Sequence, residues 1–221
     1  VAYDGMEKYF PPEKIIKTGN PVRQNFDDLE GKQEEALKYF GLNAGLPVVL
    51  VLGGSLGAGT INRCLSESLE TLKLSECQWL WQTGRYYYDD IRKLVPEEEG
   101  RISVHSFIDR MDLAFAAATV IVSRAGAGTI SELCLVGKPV ILVPSPNVAE
   151  DHQTKNAMAL GSNDAAIVVP DSKAAESLLP EALRLVSDEE RRLKLSRNIA
   201  LMAERDADTR IAAEVIKMIE G

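Results

Sequence analysis

Short apolar runs alternate with stretches of helical periodicity along most of this chain. The apolar runs have the length and composition of buried strands, and they lie at Ile15–Lys17, Val48–Leu52, Trp79–Gln82, Ile102–His105, Val120–Ser123, Val140–Val143 and Ala166–Val169. Between them, apolar residues recur at helical spacing over Gln33–Phe40, Thr60–Leu72, Tyr87–Leu94, Met111–Ala117, Thr129–Val136, His152–Leu160 and Ala174–Leu185. Strands that alternate with helices need crossover connections, which are typical of parallel sheets. The pattern therefore predicts a doubly wound α/β domain with a mostly parallel sheet.

After Val169 the pattern becomes wholly helical. Apolar residues recur at helical spacing in the last two segments, first at Leu195, Ile199 and Met202 and then at Ile211, Val215, Met218 and Ile219. A helix with one apolar face needs a surface that covers it. We expect these helices to pack either on this sheet or on a neighbouring domain.

Composition narrows the classes of function. Hydrophobic residues make up 45% of the 221 positions and charged residues 26%, which is ordinary for a globular domain. The net charge of −8 argues against broad nucleic-acid binding, so any phosphate site must be local. Cys64, Cys77 and Cys134 lie far apart in apolar patterns, which predicts buried free thiols in a reducing compartment. No apolar stretch approaches the length of a membrane span, and no signal peptide is visible.

Two glycine-rich turns carry the candidate chemistry, at Gly53–Ala58 and Arg124–Thr129. Each turn follows a predicted strand and opens a helical pattern. Such a turn leaves backbone N–H groups accessible at a helix N-terminus, where the helix dipole favours anions. Two turns of this kind suggest a ligand that has phosphates and a second polar part.

Two common nucleotide sites fit these turns poorly. A Walker A loop needs lysine followed by serine or threonine after its glycines, and Gly57–Thr60 lacks the lysine. A dinucleotide fold needs an acidic residue at the end of its second strand, whereas that predicted strand ends in Gln82-Thr83-Gly84. ATP hydrolysis of the Walker type is excluded, and NAD binding is disfavoured.

A sugar-nucleotide site and a plain strand-to-helix turn remain. In the first interpretation Glu132, one helical turn after Gly128 and Thr129, binds the ribose of a ligand that lies over the helix N-terminus. The carboxylate has a second interpretation, a capping box of Thr129 and Glu132 in which it only satisfies a backbone N–H. The spacing alone supports both interpretations equally.

Five motifs occur in an order that resembles the C-terminal half of the MurG family of bacterial glycosyltransferases. They are Gly19–Arg23, Gly53–Ala58, Phe107–Met111, Arg124–Glu132 and Glu150–Ala157. The resemblance covers essentially the whole chain and implies one half of a GT-B architecture, in which two Rossmann-like domains face each other across a cleft. It also implies that residues 1–18 are the end of the N-terminal domain and linker. Residues 19–221 are then the UDP-GlcNAc-binding domain with its C-terminal helices. On this basis we expect the chain, which begins at Val1, to be a fragment.

The resemblance implies an inverting transfer of GlcNAc from UDP-GlcNAc to lipid I, which yields lipid II for peptidoglycan. In the family the catalytic base, the lipid acceptor site and the membrane-contacting patch lie in the N-terminal half. We therefore expect no catalytic residue in this chain, no transferase activity from it alone, and action of the whole enzyme at the cytoplasmic face of the bacterial membrane. No cofactor is implied; an Asp-x-Asp metal motif is absent near the turns, and assistance by a divalent cation stays open.

The resemblance also assigns the phosphate contacts. Arg23 is expected at the diphosphate, because a guanidinium offers several fixed donors to phosphate oxygens; otherwise it is a solvent-facing residue after a turn. Ser55 is expected to offer its hydroxyl and amide there. Further backbone contacts are expected from Gly53, Gly54 and Gly57 of the first turn and from Ala127, Gly128 and Thr129 of the second.

The remaining assignments concern the nucleoside and the sugar. The resemblance favours Glu132 as the ribose ligand and Ile108 as the residue whose backbone reads the uracil edge. Gln153 is expected to bind the GlcNAc hydroxyls, with His152 as a second candidate. Phe107 is predicted in the core and Asp109 as a helix cap.

Two other classes of function stay open. One is half of a different sugar-nucleotide enzyme, such as a UDP-GlcNAc 2-epimerase, and the other is a nucleotide-binding module without catalysis.

Overall fold

The computed structural model describes residues 1–2, 6–23, 26, 29–54, 56–96, 100–148 and 151–220. It contains a six-stranded sheet in the order β3-β2-β1-β4-β5-β6, and every neighbouring pair is parallel. The strands are β1 (Val48–Leu52), β2 (Gln78–Gln82), β3 (Ile102–His105), β4 (Val120–Ser123), β5 (Val140–Leu142) and β6 (Ile167–Val168). This is the doubly wound, parallel sheet that the alternating pattern predicts.

Helices connect the strands and extend the chain beyond the sheet. They are α1 (Gln33–Tyr39), α2 (Gly59–Ser66), α3 (Leu69–Leu74), α4 (Arg85–Leu94), α5 (Met111–Ala117), α6 (Ala127–Val136), α7 (His152–Ser162), α8 (Ala174–Ser187), α9 (Glu189–Leu201) and α10 (Ala207–Glu220). Short 3₁₀ turns lie at Met6–Lys8, Pro12–Lys14 and Asp171–Lys173.

The sheet is covered on both faces. In β1, Leu50 belongs to one apolar cluster and Val49 and Val51 to the other, because successive side chains of a strand point to opposite faces. All five residues of β1 are buried, as expected for the centre of a parallel sheet. Because every neighbouring pair of strands is parallel, the carboxyl ends of the strands lie at a common edge of the sheet.

Two sequence predictions of elements are wrong. Ile15–Lys17 is not a strand: these residues make no ladder in the sheet, and the side chain of Ile16 is 52% exposed. The predicted helix over Thr60–Leu72 is two helices. Its break lies where the amide of Ser68 bonds to the carbonyl of Leu65, a tighter turn than an α-helix allows.

The C-terminal helices divide into those that cover the domain and one that does not. Leu178 of α8 and Leu195 of α9 are buried in the cluster on one face of the sheet, and Ile199 reaches the other cluster. In α10, by contrast, Val215 is 50% and Met218 82% exposed. The apolar face of α10 is therefore largely exposed in this chain.

Cys64, Cys77 and Cys134 are buried free thiols, as predicted. Burial raises the pKa of all three, that of Cys134 to about 11. Within the ranges described above, no helix has the length and apolarity needed to span a bilayer.

Candidate functional site

The two glycine-rich turns meet at the centre of the sheet. The first follows β1 and the second follows β4, and these strands are hydrogen-bonded neighbours. The chain continues from β1 towards β2 on one side and from β4 towards β5 on the other. This is the topological switch point, where open α/β sheets bind their ligands beyond the carboxyl ends of the strands.

The first turn is packed tightly against the segment after β2. The amide of Gly53 donates to the carbonyl of Gln82 at 2.9 Å. A Cβ on Gly57, whose φ is +86°, would lie 2.5 Å from the carbonyl oxygen of Thr83 and 2.5 Å from the ring of Tyr87. Glycine at this position therefore lets α2 begin directly beside β2. Ser55, the predicted diphosphate ligand in this turn, lies outside the described residues.

The second turn leads directly into α6, which begins at Ala127 with Gly126 as its N-cap. Ala127, Gly128 and Thr129 are thus the first residues of the helix, where backbone N–H groups lack partners within the helix. Because Thr129 is already inside the helix, it is not the N-cap that a capping box requires. That interpretation of Glu132 is wrong.

Glu132 instead contacts Arg23. Its Oε1 lies 3.3 Å from Nε of Arg23, and the carboxylate side chain is only 20% exposed, whereas that of Arg23 is 53% exposed. Burial raises the pKa of Glu132 above its usual value, and the ion pair with Arg23 opposes that rise. The fold thus brings the proposed ribose and diphosphate ligands together.

A cavity of about 270 Å³ lies beside this ion pair. Its lining includes the predicted site residues Arg23, Gly53, Gly54, Ile108, Thr129 and Glu132. Gly57, Ala127, Gly128, His152 and Gln153 are not among the described residues that line it. One cavity therefore joins the two turns, the guanidinium and the carboxylate.

Two predictions for the segment between β3 and α5 are wrong. Phe107 is not a core residue: it is 40% exposed, lines the cavity, and lies 5.9 Å from the guanidinium carbon of Arg85. Its neighbour Ile108 is buried. Asp109 is not the cap of α5, because the helix begins at Met111 with Arg110 as its N-cap and without a side-chain capping bond.

Gln153 and Asn156 of α7 hold the second turn. Oε1 of Gln153 accepts from the amides of Ala125 and Ser145 at 3.2 and 2.9 Å, and Nδ2 of Asn156 donates to the carbonyl of Ala125 at 3.0 Å. The position of the second turn is thus set partly by α7. His152, the first residue of α7, is exposed.

Sequence reasoning missed two polar residues around the site. Asn20, within the Gly19–Arg23 motif, donates through Nδ2 to Oγ of Ser131 on α6 at 3.0 Å. Asp171 accepts from Oγ1 of Thr60 at 3.0 Å and from Nη1 of Arg124. The Gly19–Arg23 motif could have indicated that Asn20 lies near the site, whereas no local sequence pattern distinguishes Asp171. Over the described ranges, no group of three or more His, Cys, Asp or Glu side chains is placed to hold a metal ion.

Comparison with known proteins adds a family match. The glycosyltransferase family 28 C-terminal domain matches residues 48–211, a range that includes both glycine turns.

Curated relatives match over the whole chain. The UDP-N-acetylglucosamine–N-acetylmuramyl-(pentapeptide) pyrophosphoryl-undecaprenol N-acetylglucosamine transferase of Parabacteroides distasonis is 53% identical over 221 residues, which are 100% of this chain and 60% of that protein. The transferase of the same name from Bacteroides fragilis is 51% identical over 223 residues, covering 100% of this chain and 59% of that protein. The chain thus spans about 60% of the length of these relatives.

Solved structures show the same fold at lower identity. A MurG structure from Acinetobacter baumannii aligns with a TM-score of 0.74 and 23% identity over 98% of this chain and 59% of that one. A UDP-N-acetylglucosamine 2-epimerase aligns with a TM-score of 0.62 and 15% identity over 97% of this chain and 54% of that one. At these identities the similarity concerns the fold alone.

Proposed function

The chain belongs to the glycosyltransferase family 28 C-terminal domains. From this premise we propose that it binds the nucleotide-sugar donor of an N-acetylglucosaminyltransferase in peptidoglycan synthesis. The donor is UDP-GlcNAc, and the acceptor is a lipid-linked N-acetylmuramyl-pentapeptide. The names of the relatives at 53% and 51% identity support this choice of donor and acceptor.

The observation that carries the proposal is the ion pair of Arg23 and Glu132 in a cavity between the two turns. The guanidinium has five N–H donors, and its contact with Glu132 is through Nε. Arg23 can therefore donate to the diphosphate through its terminal nitrogens while it remains beside the carboxylate. Glu132 accepts from the ribose hydroxyls, and the backbone of Ile108 bonds to the uracil edge.

The chemistry that this chain contributes is stabilisation of the leaving group. In an inverting transfer the acceptor hydroxyl attacks C1 of GlcNAc, the bond from C1 to the diphosphate breaks, and UDP departs with the electron pair. We assign the stabilisation of the negative charge that develops on the diphosphate to Arg23 and to the N-terminus of α6, whose residue Thr129 lines the cavity. We assign three further functions to the part of the relatives that this chain does not cover. They are the base that takes the acceptor proton, the lipid acceptor site and the membrane contact.

The sugar is assigned to the start of α7. Because Oε1 of Gln153 already accepts two backbone amides, a GlcNAc hydroxyl would bond to the amide nitrogen of that side chain. His152 is exposed on the same turn and is the second candidate. Gln153 thereby links sugar binding to the position of the second turn.

Calorimetric titration of UDP-GlcNAc, UDP-glucose, ADP-glucose and NAD into the chain tests the proposal. We expect UDP-GlcNAc to bind most tightly. The Glu132→Ala variant should raise its Kd roughly tenfold or more, because a buried charge-assisted hydrogen bond is lost. Gln153→Ala should weaken UDP-GlcNAc more than UDP.

The matched control is Glu70→Ala, which removes an exposed carboxylate that pairs with Lys73 on α3. This variant should leave the Kd unchanged. Equal affinity for uracil and adenine nucleotides would contradict the proposal.

A further inference from the structure

Asp171 connects three distant parts of the chain. It begins the short turn that follows the edge strand β6, yet its carboxylate lies between α2 and the second glycine turn. Oδ2 accepts from Oγ1 of Thr60 at 3.0 Å, and Oδ1 accepts from Nη1 of Arg124. Both oxygens of one carboxylate are thus used to join the two elements that follow β1 and β4.

The contacts are shielded from solvent. The side chains of Asp171 and Arg124 are 19% and 18% exposed, so water screens their attraction less than at an open surface. Arg124 also donates to the carbonyl of Val143 at 3.0 Å. Both acceptors bond to Nη1 of Arg124, so the direction of the guanidinium depends on Asp171 as well as on Val143.

Gly54 in the first turn and Gly128 in the second lie in open space. A Cβ on Gly54 would meet no atom within 4 Å, and the same is true of Gly128. The second turn is held at Ala125 by Gln153 and Asn156 of α7. Asp171 relates the start of α2 to the second turn, through its hydrogen bonds with Thr60 and Arg124.

We propose that Asp171 is a positioning residue for diphosphate binding, which sets the separation of the N-termini of α2 and α6 by holding Thr60 and Arg124. The inference rests on the proposed function, in which the diphosphate lies in the cavity between the two turns. It goes beyond that function by assigning a role to a residue that lies outside all five motifs. Arg124 lines the same cavity as Arg23 and Glu132, so a shift of its side chain changes the shape of that cavity.

The test compares the Kd for UDP with thermal stability in four variants of this chain and in one control variant. Asp171→Asn removes the charge, and Thr60→Val removes one contact without leaving a charge unpaired. We expect Asp171→Asn to raise the Kd about fivefold or more and Thr60→Val about threefold. The double variant should resemble Asp171→Asn alone, because residues that share one contact are not additive.

Asp171→Glu separates position from charge. It still neutralises Arg124 but places the carboxylate one methylene further from the backbone. A positioning role predicts that this variant binds UDP as weakly as Asp171→Asn. Full recovery of affinity would overturn the inference, because neutralisation of Arg124 would then be sufficient.

Asp164→Asn is the matched control. Asp164 also binds two partners, Arg191 at 2.6 Å and Lys194 at 2.7 Å, and its left-handed backbone, with φ of +52°, suits asparagine. The control should lower the melting temperature and leave the Kd for UDP unchanged. If Asp171→Asn and Thr60→Val behave like this control, the inference is overturned. If the unmodified chain does not bind UDP, the proposed function itself fails, which is a distinct result.

Discussion

At the residue scale, the most informative feature is the contact between Arg23 and Glu132. The two residues belong to different motifs, and the fold places Nε and Oε1 3.3 Å apart. Glu132 is the less exposed partner, so it is desolvated while Arg23 remains half in solvent. The result is a carboxylate whose pKa is raised by burial and lowered by one cation.

The raised pKa of Glu132 predicts a pH dependence of donor binding. A carboxylate accepts hydrogen bonds from ribose hydroxyls, whereas a protonated carboxyl has lost part of that capacity. Affinity for UDP-GlcNAc should therefore fall as the pH is lowered through the pKa of Glu132, at a higher pH than for an ordinary glutamate. Calorimetry across the acid range measures this. UDP-GlcNAc is a better ligand than UDP for this measurement, because the terminal phosphate of UDP itself titrates at about pH 6.

Two variants serve as controls for this prediction. Glu132→Gln should bind more weakly and lose the acid-side decline. Arg23→Met removes both the proposed diphosphate ligand and the cation that lowers the pKa of Glu132. UDP-GlcNAc should therefore bind more weakly at every pH, and the decline should move to a still higher pH. Circular dichroism at each pH verifies that the chain is folded. Constant affinity in the unmodified chain down to the onset of unfolding would show that Glu132 does not bind the ribose as a carboxylate.

At the element scale, the first glycine turn depends on the close approach of its neighbour. Gly57 has a left-handed φ of +86°, and a Cβ added to it would lie 2.5 Å from the carbonyl oxygen of Thr83. The sequence showed that a turn precedes α2, because glycines follow an apolar run. It did not show that this turn packs on the segment after β2, since that contact depends on strand order.

Gly57→Ala is expected to destabilise the fold strongly. The left-handed conformation costs about 1–2 kcal/mol for alanine, and the clash with Thr83 and Tyr87 adds about 1–3 kcal/mol. The free energy of unfolding, measured by urea denaturation, should thus fall by about 2–5 kcal/mol.

Gly41→Ala isolates the backbone contribution. Gly41 has a similar φ of +65°, but a Cβ there would meet no atom within 4 Å. This variant should therefore cost only about 1–2 kcal/mol. Equal losses for the two variants would mean that the close approach at Gly57 contributes nothing.

At the scale of the whole molecule, one sheet covered on both faces supports the site. The last helix, α10, contributes little to the two apolar clusters that cover the sheet. Leu178 of α8 is 1% exposed, whereas Val215 of α10 is 50% exposed. The last helices were expected to pack either on this sheet or on a neighbouring domain, and α9 follows the first alternative, since it reaches both clusters through Leu195 and Ile199. Most of the apolar face of α10 stays uncovered by the described residues.

This difference predicts unequal effects of two truncations to alanine. Leu178→Ala leaves a cavity in a buried cluster and should lower the free energy of unfolding by about 2–5 kcal/mol. Val215→Ala should change it by less than about 0.5 kcal/mol, because the side chain is half exposed. Urea denaturation of both variants tests this. A large loss at Val215 would show that α10 belongs to the cooperative core of this chain.

The sequence by itself determined most of the elements and named the candidate residues of the site. β1, β3, β4 and α5 lie at their predicted bounds, because burial on one or both faces imposes a period that can be recognised locally. The family motifs led to Arg23 and Glu132, and the structure then placed them in contact. The binding roles assigned to these two residues stay predictions, as do those of Ser55, Ile108, Gln153, His152 and the residues of the two turns.

Only the tertiary structure decided which of these residues share a cavity and what surrounds them. Phe107 was predicted in the core because apolar residues favour burial, yet its position after β3 exposes it at the edge of the cavity. Asp171 carries no local signal, since its partners Thr60 and Arg124 lie in other elements. Such contacts arise because β1 pairs with β4 and the chain returns from β6 towards α2. Strand order is a property of the whole fold, and no local period encodes it.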